Sequence, residues 1–201
     1  MTNPADDSTR RDFGAYYEGA KGRPPRPALV QAASSFARPG FAVDLGCGDG
    51  RDTVELLRRG WRVLALDASE EGISRLRARD DFPADAALET RVARIEASAW
   101  PPADLINASF VLPLLAPADF ARVWKRIGAS LVSGGRFSGH LYGPNDGWAD
   151  RPGLSILDRA AVERLISAFA VELFDEVEND APTARGKPKH WHVFHLILRK
   201  P

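Results

Sequence analysis

The chain has 201 residues, 44% of them apolar, and no apolar run near the roughly 18 residues that cross a bilayer, so it reads as one globular domain. Twenty-seven basic residues balance twenty-seven acidic ones, which excludes an overall field able to hold nucleic acid or an anionic membrane and points to a small partner molecule. Cys47 is the one cysteine, which excludes an internal disulfide framework and a multi-cysteine metal centre, and MTNPADDSTRRDF lacks a secretory apolar core, so the expected location is cytoplasmic.

The first dozen residues are expected to be disordered. Residues 1–27 read as an N-terminal arm with a proline cluster at Pro24, Pro25 and Pro27, ahead of a domain over 28–201. Tyr16, Tyr17 and Arg26 make this arm aromatic and basic, suited either to closing over a ligand or to anchoring on the core. FAVDL is the first strand. The helix from Asp52 to Arg59 turns Val54, Leu56 and Leu57 toward the sheet and stops at Gly60. WRVLALD is the second strand. Ser69 caps the next helix, with Glu70 and Glu71 in its first turn and Arg75, Arg77 and Arg79 in its last. A weaker third strand is expected around Val92 to Ile95, and DLINAS forms the fourth.

Pro117 opens a helix with Phe120, Val123, Trp124, Ile127 and Leu131 on one face. RFSGHL is the fifth strand. Asp158 caps a helix with Val162, Leu165, Ile166 and Phe169 on its apolar face. The last two strands run from about Val171 to Glu178 and from His190 to Arg199. Only eleven residues separate them, too few for a helical crossover, so this pair should be antiparallel.

Three glycines alternate in Asp44-Leu-Gly46-Cys47-Gly48-Asp-Gly50-Arg51, directly after a strand and before a helix, where backbone must turn sharply and let a ligand approach. A dinucleotide fingerprint spaces its glycines as G-x-G-x-x-G, and the final position of that pattern is Arg51 here. Asp44 is awkward beside a phosphate and suits an ammonium group or a water. Asp67 closes the second strand, where an acid can accept hydrogen bonds from both ribose hydroxyls.

Through VDLGCGDGR and ALDAS the chain resembles the class I S-adenosylmethionine-dependent methyltransferases over nearly all of residues 40–201. YYEGAKGRPP, GDGRDTVELLRRGW and KHWHVFHLILRK look most like the small bacterial tellurite-resistance and thiopurine-type members. The resemblance implies an α/β fold: a Rossmann-like seven-stranded, mostly parallel sheet with an antiparallel last strand and helices on both faces. It implies S-adenosyl-L-methionine as cofactor, with Asp44 and the segment Gly46, Cys47, Gly48, Gly50 and Arg51 around the methionine part and Asp67 on the ribose. Ala68 and Ser69 then lie beside the adenosine. Ser98, Ala99 and Trp100 fall at the adenine, with Ser98 where an aspartate is commoner. Asn107, Ser109 and Phe110 border the transferred methyl.

Methyl transfer is an in-line displacement, so alignment does much of the work and a strong base is optional. His140 and Tyr142, at the carboxyl end of the fifth strand, and Tyr17 in the arm are the catalytic candidates. Trp148 in GPNDGWADRPG is a lid candidate. Two basic loops, Lys21, Arg23 and Arg26, and Arg185, Lys187 and Lys189, are expected to be solvated, or else to attract an anionic acceptor. His190 and His192 share a strand face and His195 takes the other, so no metal site is expected. Cys47 reads as structural. The expected acceptor is a small molecule such as a thiol, amine or chalcogen oxyanion, bound by a monomer or homodimer. Two alternatives stay open on the residues alone: a sensor of S-adenosylmethionine or its demethylated product, and a nicotinamide-dependent oxidoreductase.

Overall fold

The computed structural model describes residues 13–201, so the expectation for the first dozen residues lies outside it. The elements run α1 (Phe13–Ala20), α2 (Pro27–Ser34), β1 (Phe41–Leu45), α3 (Arg51–Arg58), β2 (Arg62–Asp67), α4 (Glu70–Arg77), β3 (Leu88–Val92), β4 (Ala103–Ala108), α5 (Pro117–Ser130), β5 (Leu131–Tyr142), α6 (Arg159–Ile166), β6 (Ala170–Pro182) and β7 (Pro188–Arg199). They build one seven-stranded sheet in the order β3-β2-β1-β4-β5-β7-β6. β7 runs antiparallel to both of its neighbours, and the pairings from β3 through β5 are parallel.

Alternation along the central strands sorts side chains to two cores. Val43, Leu64, Leu66 and Ile106 face α5 and α6, which supply Phe120, Val123, Trp124, Ile127, Val162 and Ile166. Ala42, Val63, Ala65 and Leu105 face the other layer, with Leu29 of α2, Leu56 and Leu57 of α3, and Ile73 and Leu76 of α4. Strands buried on both faces are what a mostly parallel sheet requires. The caps form as their chemistry predicts: Ser69 accepts from the Gly72 N–H at 3.0 Å and Asp158 from the Ala161 N–H at 2.7 Å.

Three boundaries differ from the sequence reading. The third strand pairs through Leu88 to Val92, opposite Val63 to Asp67, rather than through Val92 to Ile95. Ile95 instead starts a short 3₁₀ turn that buries it under α5, so its hydrophobicity reports a turn contact and not a strand. Leu131 begins β5 and does not continue the face of α5. The final hairpin is longer than its apolar residues suggest, reaching Pro182 and resuming at Pro188 around a turn at Gly186. Its outer half pairs mostly polar residues: those of β6 are exposed or half-buried, whereas Lys189 and His192 of β7 are buried.

Gly50 shows how tightly the loop before α3 is built. It caps that helix at φ +85°, and a Cβ there would lie 2.3 Å from Leu76 Cδ1. Gly50→Ala should cost about 1–2 kcal/mol, from left-handed backbone strain and displaced core packing, read as a lower urea midpoint at unchanged m.

Candidate active site

The loop after β1 is pulled tight by its neighbour. The N–H groups of Gly46 and Cys47 both donate to the Leu66 carbonyl, at 2.8 and 3.0 Å, and Gly46 and Gly48 take φ of +69° and +55°. A Cβ on Gly46 would come within 2.5 Å of Val111, so the loop lies against the chain that follows β4. Cys47 is buried, its thiol pushed well above the ordinary range by burial and the surrounding carboxylates, in keeping with a structural role.

Asp67 ties that loop to the next helix. One carboxylate oxygen accepts from the Gly48 N–H at 2.8 Å and the other from the Ser69 N–H at 2.7 Å. Each oxygen keeps a lone pair for a ligand hydroxyl. Burial raises its pKa and the two N–H donors oppose that rise. Tyr17 roofs this region: a Cβ on Gly48 would meet its ring at 3.3 Å, and one on Gly72 its hydroxyl at 2.4 Å. Its hydroxyl bonds Ser69, and burial pushes the phenol far above the physiological range, so Tyr17 stays protonated. It stands over the glycine loop and the start of α4. Arm and domain are stitched together below it, where the Arg26 N–H donates to Asp52 at 2.9 Å and Arg51 Nε to the Pro24 carbonyl at 2.6 Å.

Asn107, at the end of β4, joins both layers. Its Nδ2 donates to Asp44 at 2.8 Å and Asp52 at 3.2 Å, while its Oδ1 accepts from Ser138 at 2.8 Å and Ser109 at 3.2 Å. Thr53 donates to the other oxygen of Asp44 at 2.6 Å. Asp44 is completely buried, and burial together with the Asp52 carboxylate raises its pKa to about 7, against the hydrogen bonds of Thr53 and Asn107.

Beyond the loop lies an aromatic wall. Phe110 takes φ +59°, a conformation rare for an aromatic residue and concentrated at functional sites. The Arg26 guanidinium lies 4.3 Å from its ring centroid, and the His140 ring stacks on it at 4.1 Å. Tyr142 and Trp191 meet Phe110 at 6.2 and 5.9 Å, and Trp148 meets both Tyr142 and Trp191. Burial, His195 and the charges of Arg26 and Arg51 hold His140 well below the usual histidine range. It is therefore neutral, and its buried Nδ1 has no hydrogen-bond partner among the described residues.

Several expectations change. Trp100, expected beside the adenine, is buried in the core, its Nε1 donating to Ser130 at 2.7 Å. Ser98 donates to the Arg94 carbonyl at 2.8 Å, and Ala99 and Ala68 are exposed beside the site. Lys189 is not solvated but buried, paired with Asp146 at 2.7 Å. His190 and His192 serve the hairpin, reaching Asp180, Glu178 and Glu176 at 2.8, 3.0 and 2.9 Å. Sequence reasoning missed Asp52, Thr53 and Ser138, whose one signal was polar chemistry at positions that the helix and strand periods turn inward. A cleft of about 620 Å³ lined by Gly40, Trp61, Pro83 and Ala87 lies at the amino ends of β1 and β2. Open α/β sheets bind ligands at the carboxyl ends, where the glycine loop, Asp67 and His140 gather.

Residues 43–137 match the family model described as a methyltransferase domain. The chain matches that model over 95 of its 201 residues, from β1 into β5, a stretch that takes in the glycine loop and Asp67. Its fold is shared with TehB from Haemophilus influenzae, at TM-score 0.74 and 18% identity over 88% of this chain and 62% of that one, so the chain spans less than two thirds of TehB. It is also shared with the N-methyltransferase NodS from Bradyrhizobium japonicum WM9 in complex with S-adenosyl-l-homocysteine, at 0.68 and 17% over 94% and 98%. A third such structure is the 1,6-didemethyltoxoflavin-N1-methyltransferase from Burkholderia thailandensis, at 0.64 and 20% over 94% and 79%.

The domain implies S-adenosylmethionine as cofactor, and the residues fit it. A cradle of left-handed glycines, a ribose-ready carboxylate with two lone pairs to spare and a buried acid beneath the loop match a neutral sugar attached to a cationic sulfonium. No helix among the described residues is long and apolar enough to cross a membrane.

Proposed function

We propose that this protein methylates a small-molecule acceptor, a thiol, amine or chalcogen oxyanion, by in-line displacement. The observation that carries the reading is the neutral, unpartnered His140 stacked on Phe110, whose neighbour Val111 abuts Gly46 of the cofactor loop. When bound, S-adenosylmethionine supplies a sulfonium methyl that leaves a neutral thioether behind. Gly46, Gly48 and Asp67 hold the cofactor, Asp44 and Asn107 fix the floor beneath it, and Tyr17 excludes water from above. Phe110 and Tyr142 orient the acceptor. The free nitrogen of His140 orders the acceptor atom and takes its proton when it carries one.

Titration calorimetry with S-adenosylmethionine, followed by an acceptor panel read as S-adenosylhomocysteine formed, tests this. Binding without turnover across thiols, amines, phenols, selenite and tellurite would favour a sensor, and binding of NAD alone would defeat the assignment. With an acceptor in hand, His140→Ala should lower kcat/KM about tenfold while leaving S-adenosylhomocysteine affinity within about twofold, since it touches the acceptor half alone.

A further inference from the structure

The aromatic wall encloses a cation of its own. Lys189 Nζ lies 3.4 Å from the ring centroid of Trp191, 4.1 Å from that of Trp148 and 4.4 Å from that of Tyr142, and it donates to Asp146 at 2.7 Å. Its side chain is 2% exposed and that of Asp146 fully buried. Three π faces and a carboxylate around one ammonium form the kind of cage that proteins use to bind alkylated ammonium ligands. The cage belongs to the acceptor side, because Tyr142 and Trp191 are the rings that face Phe110.

Packing alone gives little reason for a charge here. Asp146 also accepts from the Trp148 N–H at 3.0 Å and the His192 N–H at 3.3 Å, one on each oxygen; the single oxygen of an amide would keep one of them, and neither bond calls for an ammonium. An apolar side chain would fill the volume of Lys189 without burying an ammonium, and replacing a buried ion pair in that way is often stabilising. What the charge adds is an occupant: a site suited to cations is filled from within.

We propose that Lys189 determines acceptor specificity, its ammonium filling the cage of Tyr142, Trp148, Trp191 and Asp146 so that ammonium-bearing acceptors meet an occupied, like-charged wall and uncharged or anionic acceptors are selected. This rests on the acceptor reading above. Rejection by a matched charge is the repulsive half of specificity, working beside whatever attracts the right acceptor.

Lys189→Ala empties the cage and leaves the Asp146 carboxylate without its cation. Thermal unfolding and tryptophan emission are then followed in methylammonium or tetramethylammonium chloride, against sodium chloride at equal ionic strength. The variant should gain several degrees of melting temperature at about 50 mM methylammonium, with its tryptophan emission quenched, while the parent moves less than about one degree. Should Lys189→Ala not fold, the double variant Asp146→Asn, Lys189→Ala has no unpaired buried carboxylate and should bind tetramethylammonium through the rings. In the acceptor panel the parent should favour 2-phenylethanethiol over phenethylamine, and Lys189→Ala should narrow that ratio about tenfold. A folded variant indifferent to both ions, or a parent that responds equally, overturns the proposal, as does a parent that prefers the amine. Ion binding is decided whether or not any acceptor turns over, so failure of the cage and failure of the methyl-transfer reading are told apart.

Discussion

Asp67→Ala should weaken S-adenosylmethionine binding by about 1–3 kcal/mol, roughly five- to 150-fold in dissociation constant by titration calorimetry. Two losses combine. The ribose hydroxyls lose the acceptor that an acid at the end of β2 supplies. The loop also loses its tie, because this carboxylate accepts from the N–H groups of Gly48 and Ser69 and so sets the glycine turn against α4. Asp67→Asn separates the two, since an amide oxygen still accepts one N–H while its NH₂ opposes the other. The asparagine variant should therefore fall between parent and alanine in affinity. Alanine-variant affinity equal to that of the parent would remove Asp67 from the cofactor site.

What could be read from the sequence was local or periodic. Glycines at 46, 48 and 50 announce a turn because no other residue takes three left-handed conformations so close together, and the short connection before β7 announces an antiparallel pair because no crossover fits. The site's long-range partnerships were not legible. Asn107 bonds Asp44 across 63 residues and Ser138 across 31, and no spacing rule encodes either. Lys189 was misread because its neighbours Arg185 and Lys187 are polar loop residues, while its own side chain is drawn inward by rings from the far end of β5 and the loop beyond. The bond from the Trp100 indole N–H to Ser130 on α5, 30 residues away, was equally out of reach of any spacing rule.

Stability without cofactor should fall as pH rises from about 4 to about 7, and Asp44 is the reason. Its carboxyl titrates at about 7 in the folded protein, raised by burial and by the facing Asp52 carboxylate, with a smaller contribution from Asp67. In the unfolded chain the same group titrates near about 4. The folded state thus holds the proton more tightly, so the stabilisation is complete below the unfolded value and is lost as pH climbs through 7, with an upper bound of about 4 kcal/mol. Asp44→Asn should flatten this profile, because an amide can accept from Asn107 and donate to Thr53 in the same place. A cationic cofactor should reverse the preference by favouring the carboxylate, so S-adenosylmethionine binding at pH 6.5 should release a proton, seen as a dependence of the calorimetric enthalpy on buffer ionisation. The neutral thioether product lacks the sulfonium charge and should release less. Affinity for S-adenosylmethionine relative to S-adenosylhomocysteine should then rise with pH through 7 in the parent and stay level in Asp44→Asn. A flat ratio in the parent would mean that Asp44 keeps its proton and serves only the hydrogen-bond floor.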